Sequence, residues 1–188
     1  MKLDVKFVES NQSFNAQFGE VQVVNGGGAD IVDALIDKSV TEISSEVDIV
    51  GAYACYGLTK LESVNLPNCT SIGNDAFYNC VTLESVESPN VTSIASSAFR
   101  LCVVLPSIDL PLLTSIGSNA FRDCRKLQSL ILRSKTVCTL GTNVFTSTPI
   151  ASGTGYIYVP DNLVEQYKAA ANWSTYAAQI KPLSELEE

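Results

Sequence analysis

Three cysteines stand at one place in a recurring phrase. Cys80 closes TSIGNDAFYNC, Cys102 closes TSIASSAFRLC and Cys124 closes TSIGSNAFRDC, at a spacing of 22 residues each time. Thiols in register raise three chemistries: a metal site, a nucleophilic thiolate and a disulfide. The chain holds 6 cysteines and no histidine, and none of the cysteines forms a CxxC. Zinc sites draw on paired cysteines or on cysteine with histidine, and a cysteine nucleophile ordinarily has a histidine base beside it. Neither partner exists here. If the copies stack, their Cα atoms lie near about 5 Å, within disulfide range. Equivalent Cβ vectors then run parallel, which suits that bond badly. The expectation is three small, soft hydrophobes filling a slot of constant size. Cys55, Cys69 and Cys138 lie off this column and are expected to be reduced thiols too, Cys55 filling the slot of a phenylalanine.

The second candidate chemistry is acid–base work by carboxylates, for example Glu84 with Glu87. With no histidine the commonest general base is missing. The pattern around these glutamates places them on an open surface with no cleft to shift a pKa, so no catalytic residue, cofactor or metal is expected. Calcium would need an oxygen-rich loop that the chain does not spell. Four Asn-x-Ser/Thr sequons, at Asn11, Asn68, Asn90 and Asn172, matter only in a eukaryotic secretory route that nothing in the sequence supports.

Composition narrows the partners. The net charge is −8 and the pI is about 4.5. Such a chain repels phosphate backbones and is not expected to bind nucleic acid. With 46% hydrophobic and 17% charged residues it has the makings of a packed core. No run approaches the roughly 20 apolar residues of a spanning helix, and MKLDVKFVESNQSF lacks the apolar centre of a signal peptide. A soluble chain, not exported by the Sec route, is the expectation.

The phrase belongs to a repeat. Phe77, Phe99 and Phe121 keep the 22-residue spacing, as do Ile72, Ile94 and Ile116. Leu61, Leu83, Leu105 and Leu127 extend it one unit upstream, and Leu140 and Phe145 follow after a loop lengthened by two residues. After each cysteine position the chain reads LxxΦxΦ (Φ apolar): LESVNL at 61–66, LESVES at 83–88, LPSIDL at 105–110 and LQSLIL at 127–132. Alternation over the last residues predicts a short strand with one buried face. Pro67, Pro89 and Pro111 end it, because proline has no N–H for a ladder. TSI is a second extended piece, and xxAFxxC is a turn that is helical or irregular. One unit cannot bury its apolar face alone, so successive units stack as coils of a solenoid.

These units resemble the BspA-type bacterial leucine-rich repeats, whose pattern runs LxxIxLPxxxTSIGxxAFxxCxxL, over about residues 47–145. The resemblance implies an α/β solenoid: a right-handed leucine-rich-repeat with short parallel strands on a concave face, turns on the convex face and capped ends. The departures are Cys55 for phenylalanine, Leu58 for cysteine, Ser88 for the last leucine, Pro106 inside a strand, and the stretched loop near 133–139. The whole of 1–188 reads as one domain: 1–46 N-terminal strands and cap, 47–147 repeats, 148–188 last strand and helical cap. KLDVKFV (2–8) and EVQVV (20–24) read as strands, GGG (26–28) as a break, ADIVDALIDKS (29–39) as a short helix or irregular cap, and VTEI (40–43) as a degenerate first strand. YIYVP (156–160) reads as a further rung with Ile157 and Val159 inward. Asp161 is expected to cap a helix over about 162–171. WSTYAAQI (173–180) reads as a second short helix covering the last coil through Trp173, Tyr176 and Ile180, with a frayed tail to Glu188.

Two solvent-facing surfaces remain as binding candidates. The x positions of LxxΦxΦ put Glu62, Ser63, Asn65, Glu84, Ser85, Glu87, Pro106, Ser107, Asp109, Gln128, Ser129 and Ile131 on the strand face: a serine column flanked by acids, without the aromatic anchors of binding hot spots. The rival is the convex column of Tyr78, Arg100 and Arg122, with Tyr53 and Tyr56 near it. The family resemblance implies a non-enzymatic interaction module of a bacterial protein, secreted or at the cell surface, binding a host or surface protein or a glycan as a monomer or weak oligomer. The termini also resemble pieces of prophage-encoded or gut-bacterial repeat proteins, which implies the alternative of a virion-associated protein from the tail region, cytoplasmic or in the virion.

Overall fold

The computed structural model describes residues 41–45 and 47–186, together with the backbone of 2–5 and 20–21. Each repeat turns once and lays down two short strands. The first set is Glu42–Ser44, Ser63–Asn65, Ser85–Glu87, Ser107–Leu110, Ser129–Leu132 and Tyr156–Val159. The second is Ile49–Val50, Ser71–Ile72, Ser93–Ile94, Ser115–Ile116 and Thr139–Leu140. Pairing is parallel, and the register is the repeat itself: Val64 opposes Val86, and Ile72 opposes Ile94. The TSI and LxxΦxΦ phrases thus fold as read. Upstream, Lys2–Val5 pairs in parallel with Glu42–Ser44 and with Glu20–Val21, so both expected N-terminal strands are present in part. The residues read as the remainder of those strands, as the glycine break and as the 29–39 cap lie outside the described residues.

The AFxxC segments are irregular turns, and their backbone alternates between two duties. Every second N–H stays inside its coil: Ala76 donates to Gly73, Tyr78 to Asp75 and Cys80 to Phe77. The N–H groups between them cross to the next coil: Asp75 to Ser96, Phe77 to Ala98 and Asn79 to Arg100. That alternation requires a left-handed residue on either side of the Ala-Phe pair. Asp75, Ser97, Asn119 and Asn143 take φ of +53 to +60° on one side, and Asn79, Leu101, Asp123 and Ser147 take +61 to +65° on the other. Asparagine and aspartate tolerate this region; Leu101 is held there by its bond to Arg122 O at 3.0 Å. Gly117 answers a different need. A Cβ on it would come within 2.5 Å of Ser96 N and 2.6 Å of Ala95 C, so its place is set by close approach to the preceding coil.

The core is a stack of like residues. Phe77, Phe99, Phe121 and Phe145 lie with rings nearly parallel at centroid separations of 5.2, 5.5 and 6.2 Å. Leu61, Leu83, Leu105 and Leu127 form a second column, each fully buried.

The strand sheet breaks once, between Ser85–Glu87 and Ser107–Leu110. In three other coils the two residues opening the strand donate to one carbonyl of the coil before: Glu62 and Ser63 to Thr41, Glu84 and Ser85 to Glu62, Gln128 and Ser129 to Pro106. Pro106 has no N–H to give. At the same place Ser88 occupies the slot of Leu66, Leu110 and Leu132. It is 2% exposed, and its hydroxyl has no hydrogen-bond partner. A buried unpaired hydroxyl costs about 1–3 kcal/mol. Ser88→Leu therefore raises the unfolding free energy by about 1–2 kcal/mol, read as a higher midpoint of urea unfolding; an unchanged or lowered midpoint would show that this slot is too small for the repeat's own residue.

The C-terminal end differs most from expectation. After the last repeat Thr148, in the slot of the ladder cysteines, caps a short helix, Pro149–Ser152, by accepting from Ala151 N at 3.2 Å. The helix read over 162–171 is a 3-10 turn, Asp161–Leu163, followed by an α-helix at Val164–Ala169. Asp161 makes no side-chain cap; its carboxylate accepts from Ser184 N at 3.2 Å instead. Trp173–Gln179 is 3-10 rather than α-helical, and Ile180–Pro182 is a strand that pairs in parallel with Tyr156–Val159. Pro182, a residue type that ordinarily stops a helix, here closes a strand. The cap itself seals the end coil. Trp173 packs tilted on Phe145 at 6.3 Å, and Tyr176 meets the same ring edge-on at 5.1 Å. Trp173 Nε1 donates to Cys138 O at 2.6 Å, and Tyr167, wholly buried, accepts from Cys138 N at 3.0 Å.

Candidate functional site

The cysteine ladder is structural, with a contact that spacing did not reveal. Each thiol reaches the carbonyl of the Phe-position residue one coil back: Cys80 Sγ to Cys55 O at 3.2 Å, Cys102 Sγ to Phe77 O at 3.2 Å and Cys124 Sγ to Phe99 O at 3.0 Å. Cysteine fits because it is small and apolar yet still donates a weak hydrogen bond. Thr148 donates to Phe145 O at 2.7 Å, within its own coil. All six cysteines are free and buried. Burial pushes the Cys80, Cys124 and Cys138 thiols up to about 12, and those of Cys55, Cys69 and Cys102 also rise, again chiefly through burial. None is a nucleophile near neutral pH. Among the described residues no cluster of His, Cys, Asp or Glu could hold a metal ion.

On the strand face the structure puts Glu62, Asn65, Glu84, Glu87 and Gln128 in solvent and Asp109 half-buried. The serine column exists: Ser63, Ser85, Ser107 and Ser129 lie side by side on adjacent strands, with Glu42 beside Ser63 and Tyr156 beside Ser129. The neighbouring column runs Asn65, Glu87, Asp109, Ile131, Tyr158 and Lys181. Asp109 is held in a two-pronged pair by Arg133, with nitrogen–oxygen distances of 3.0 and 2.9 Å to Oδ2. Glu42 lies in register with Lys2, whereas Glu62, Glu84 and Glu87 have no cationic partner among the described residues.

Contrary to the expectation of a face without aromatic anchors, aromatic side chains do reach it. Once Ile157 and Val159 point inward, Tyr156 and Tyr158 must point outward. Tyr156 is 38% exposed, its ring 6.3 Å from that of Tyr158. The strand at Ile180–Pro182 brings the Lys181 ammonium over the Tyr156 ring at 5.8 Å. The hydrogen bond from Lys181 to Glu185, at 2.9 Å, holds that ammonium above its usual pKa. The alternation in YIYV was signal enough for the tyrosines; nothing in the sequence announced the strand that carries the lysine.

The rival column on the turn face is longer by one residue, since Tyr56 stands in line with Tyr78, Arg100 and Arg122. Tyr56 and Tyr78 stack at 4.8 Å with a 3° interplanar angle, and the Arg100 guanidinium lies 5.6 Å over Tyr78. Asp123 sits between the arginines, its Oδ2 3.7 Å from Arg100 Nε and 3.5 Å from Arg122 Nε. Those separations give charge attraction without well-aimed hydrogen bonds. Partial burial raises the Asp75 carboxyl, and Arg100 offsets part of that rise. The arginines of this face are thus engaged by the protein itself.

Comparison with known proteins places this geometry among relatives. A family model described as the BspA type leucine rich repeat region matches residues 35–170 in 6 copies. Three solved structures share the fold. A leucine-rich repeat protein of T. pallidum is 26% identical with a TM-score of 0.56, over 64% of this chain and 58% of that one. A leucine-rich repeat protein from Bacteroides ovatus is 24% identical with a TM-score of 0.57, over 79% of this chain and 41% of that one. A leucine rich cell surface protein from Faecalibacterium prausnitzii is 21% identical with a TM-score of 0.53, over 83% of this chain and 47% of that one. The chain therefore spans roughly half the length of these neighbours. Among curated proteins none matches significantly.

Proposed function

Because this chain belongs to the BspA-type leucine-rich-repeat family, we propose that it is a non-catalytic interaction module that grips a host or surface protein through its strand face. The observation that carries this reading is the face itself: parallel strands presenting acids, serines and two tyrosines in columns, with Glu62, Glu84 and Glu87 lacking a cationic partner among the described residues. Such a surface offers charge complementarity and anchors to a protein. An enzyme would need a base poised near neutral pH. The chain has no histidine, and Glu84 and Glu87 lie exposed on an open sheet. No helix among the described residues is long and apolar enough to cross a membrane.

The test is a binding screen of the purified chain against host matrix proteins and glycans. A Glu84→Lys/Glu87→Lys variant is expected to weaken the strongest protein interaction at least about tenfold, while Arg100→Ala/Arg122→Ala leaves it unchanged. The opposite pattern moves the site to the turn face and overturns the reading.

A further inference from the structure

The strand face is chemically divided, and the division identifies the partner it fits. Toward its N-terminal side lie Glu62, Glu84 and Glu87, with no cationic partner among the described residues. Toward its C-terminal side lie Tyr156, Tyr158 and Ile131, on strands paired directly in register. The cations at that end are already matched: Arg133 holds Asp109 at 2.9 Å, and Lys181 holds Glu185 at 2.9 Å. The aromatic end therefore offers apolar surface with its charges neutralised, and Glu62, Glu84 and Glu87 offer charge that no cation among the described residues matches.

We propose that the face binds an extended polypeptide segment that carries basic residues and one large apolar anchor. The anchor packs on Tyr156, Tyr158 and Ile131, and the basic residues lie over Glu84 and Glu87. Rigid tyrosines flanked by polar residues are the usual anchors of protein interfaces. Three strand steps separate Glu87 from Tyr158, about 14 Å at the spacing of neighbouring strands, which an extended segment spans in about four residues. The segment lies across the strands, so it uses side-chain columns and leaves the sheet edges alone. This inference rests on the strand face being the interface, and it adds the chemistry of what is gripped.

The probe is a fluorescein-labelled decapeptide with three consecutive Lys/Arg residues placed four residues from a single Trp, measured by fluorescence anisotropy with the full chain. Binding is expected to fall at least about tenfold when the peptide's Trp becomes Ser. It is also expected to fall at least about fivefold when salt rises from about 50 to 300 mM, since exposed pairs are screened. Tyr156→Ser/Tyr158→Ser reproduces the loss of the anchor, and Glu84→Lys/Glu87→Lys reproduces the loss from salt. Because the tyrosine variant removes partly packed rings, its thermal unfolding is checked alongside, and Ile131→Glu, which leaves both tyrosines in place, serves as the second anchor variant. Equal binding of an acidic peptide of the same layout, no binding of the basic one, or tyrosine-dependent binding of a neutral glycan instead would overturn the proposal. A native protein whose capture depends on Glu84 and Glu87 yet ignores all three anchor positions would overturn this inference and leave the proposed function standing. Capture that depends on Arg100 and Arg122 would overturn both.

Discussion

Phe99→Ala lowers the unfolding free energy by about 3–5 kcal/mol, a large share of the roughly 5–15 kcal/mol that holds a domain folded. Phe99 is wholly buried. It stands in the middle of the ring stack, 5.2 Å from Phe77 and 5.5 Å from Phe121. Truncation removes packing on both sides at once, and neither neighbour can close the gap without shifting a whole coil. The backbone offers no relief: Phe99 N donates to Ala120 O at 2.9 Å, and Phe99 O accepts the Cys124 thiol at 3.0 Å. In a solenoid each coil touches only its neighbours, so damage in the middle separates two halves that are short for independent stability. Phe99→Leu, which keeps most of the volume, costs less than about 1.5 kcal/mol. Urea unfolding followed by far-UV circular dichroism separates the two. A loss below about 1 kcal/mol for the alanine variant would show that the stack is not the core's spine.

This stack was legible in the sequence because it depends on one residue type recurring at one spacing. The same holds for the Ile72, Ile94 and Ile116 column and for the strand register. Ser88 and Pro106 were visible as departures from the pattern; the broken ladder and the unpaired hydroxyl needed coordinates, because they depend on which N–H meets which carbonyl. The turns were less legible for a local reason. Asp75, Asn79, Asn119 and Asp123 are ordinary left-handed residues, whereas Ser97 and Leu101 occupy the same places only because hydrogen bonds to the next coil hold them there. The repeat fixes little beyond residue 148, where no neighbouring copy supplies the register. There Ile180–Pro182 becomes a strand through pairing with Tyr156–Val159, against the stop signal of its own proline. The candidate face was half legible for that reason: its acids sit inside repeats, while its tyrosines and Lys181 sit in the cap.

Alkaline pH is expected to unfold this protein through the same cysteines that pack its core. In the unfolded chain a thiol ionises near pH 8.5. In the folded chain burial drives all six upward, Cys80, Cys124 and Cys138 to about 12. A group whose folded pKa is raised contributes its full stability below the unfolded pKa. Above that point the unfolded state has released a proton that the folded state still holds, so stability falls as pH rises, until the folded thiol ionises too. Each thiol then costs about 1.4 kcal/mol for every pH unit in the window. Several acting together exceed a typical domain's margin of about 5–15 kcal/mol between pH 9 and 11. Tyr167, also raised to about 12 by burial, adds to the slope above about pH 10. Stability is expected to be nearly flat from pH 6 to 8 and to collapse by about pH 10.5, followed by urea midpoints at each pH. The chain's growing negative charge would destabilise it as well, and the Cys80→Ala/Cys102→Ala/Cys124→Ala variant separates the two causes. It starts less stable at pH 7.5 but loses stability about half as steeply above pH 9, because three of the six thiols are gone. A thiol reagent gives the independent check: none of the six reacts in the native protein at pH 8, and all six react in urea. An equally steep alkaline loss in the triple variant would assign the effect to net charge, and rapid labelling of the native protein would show that the ladder is open to solvent.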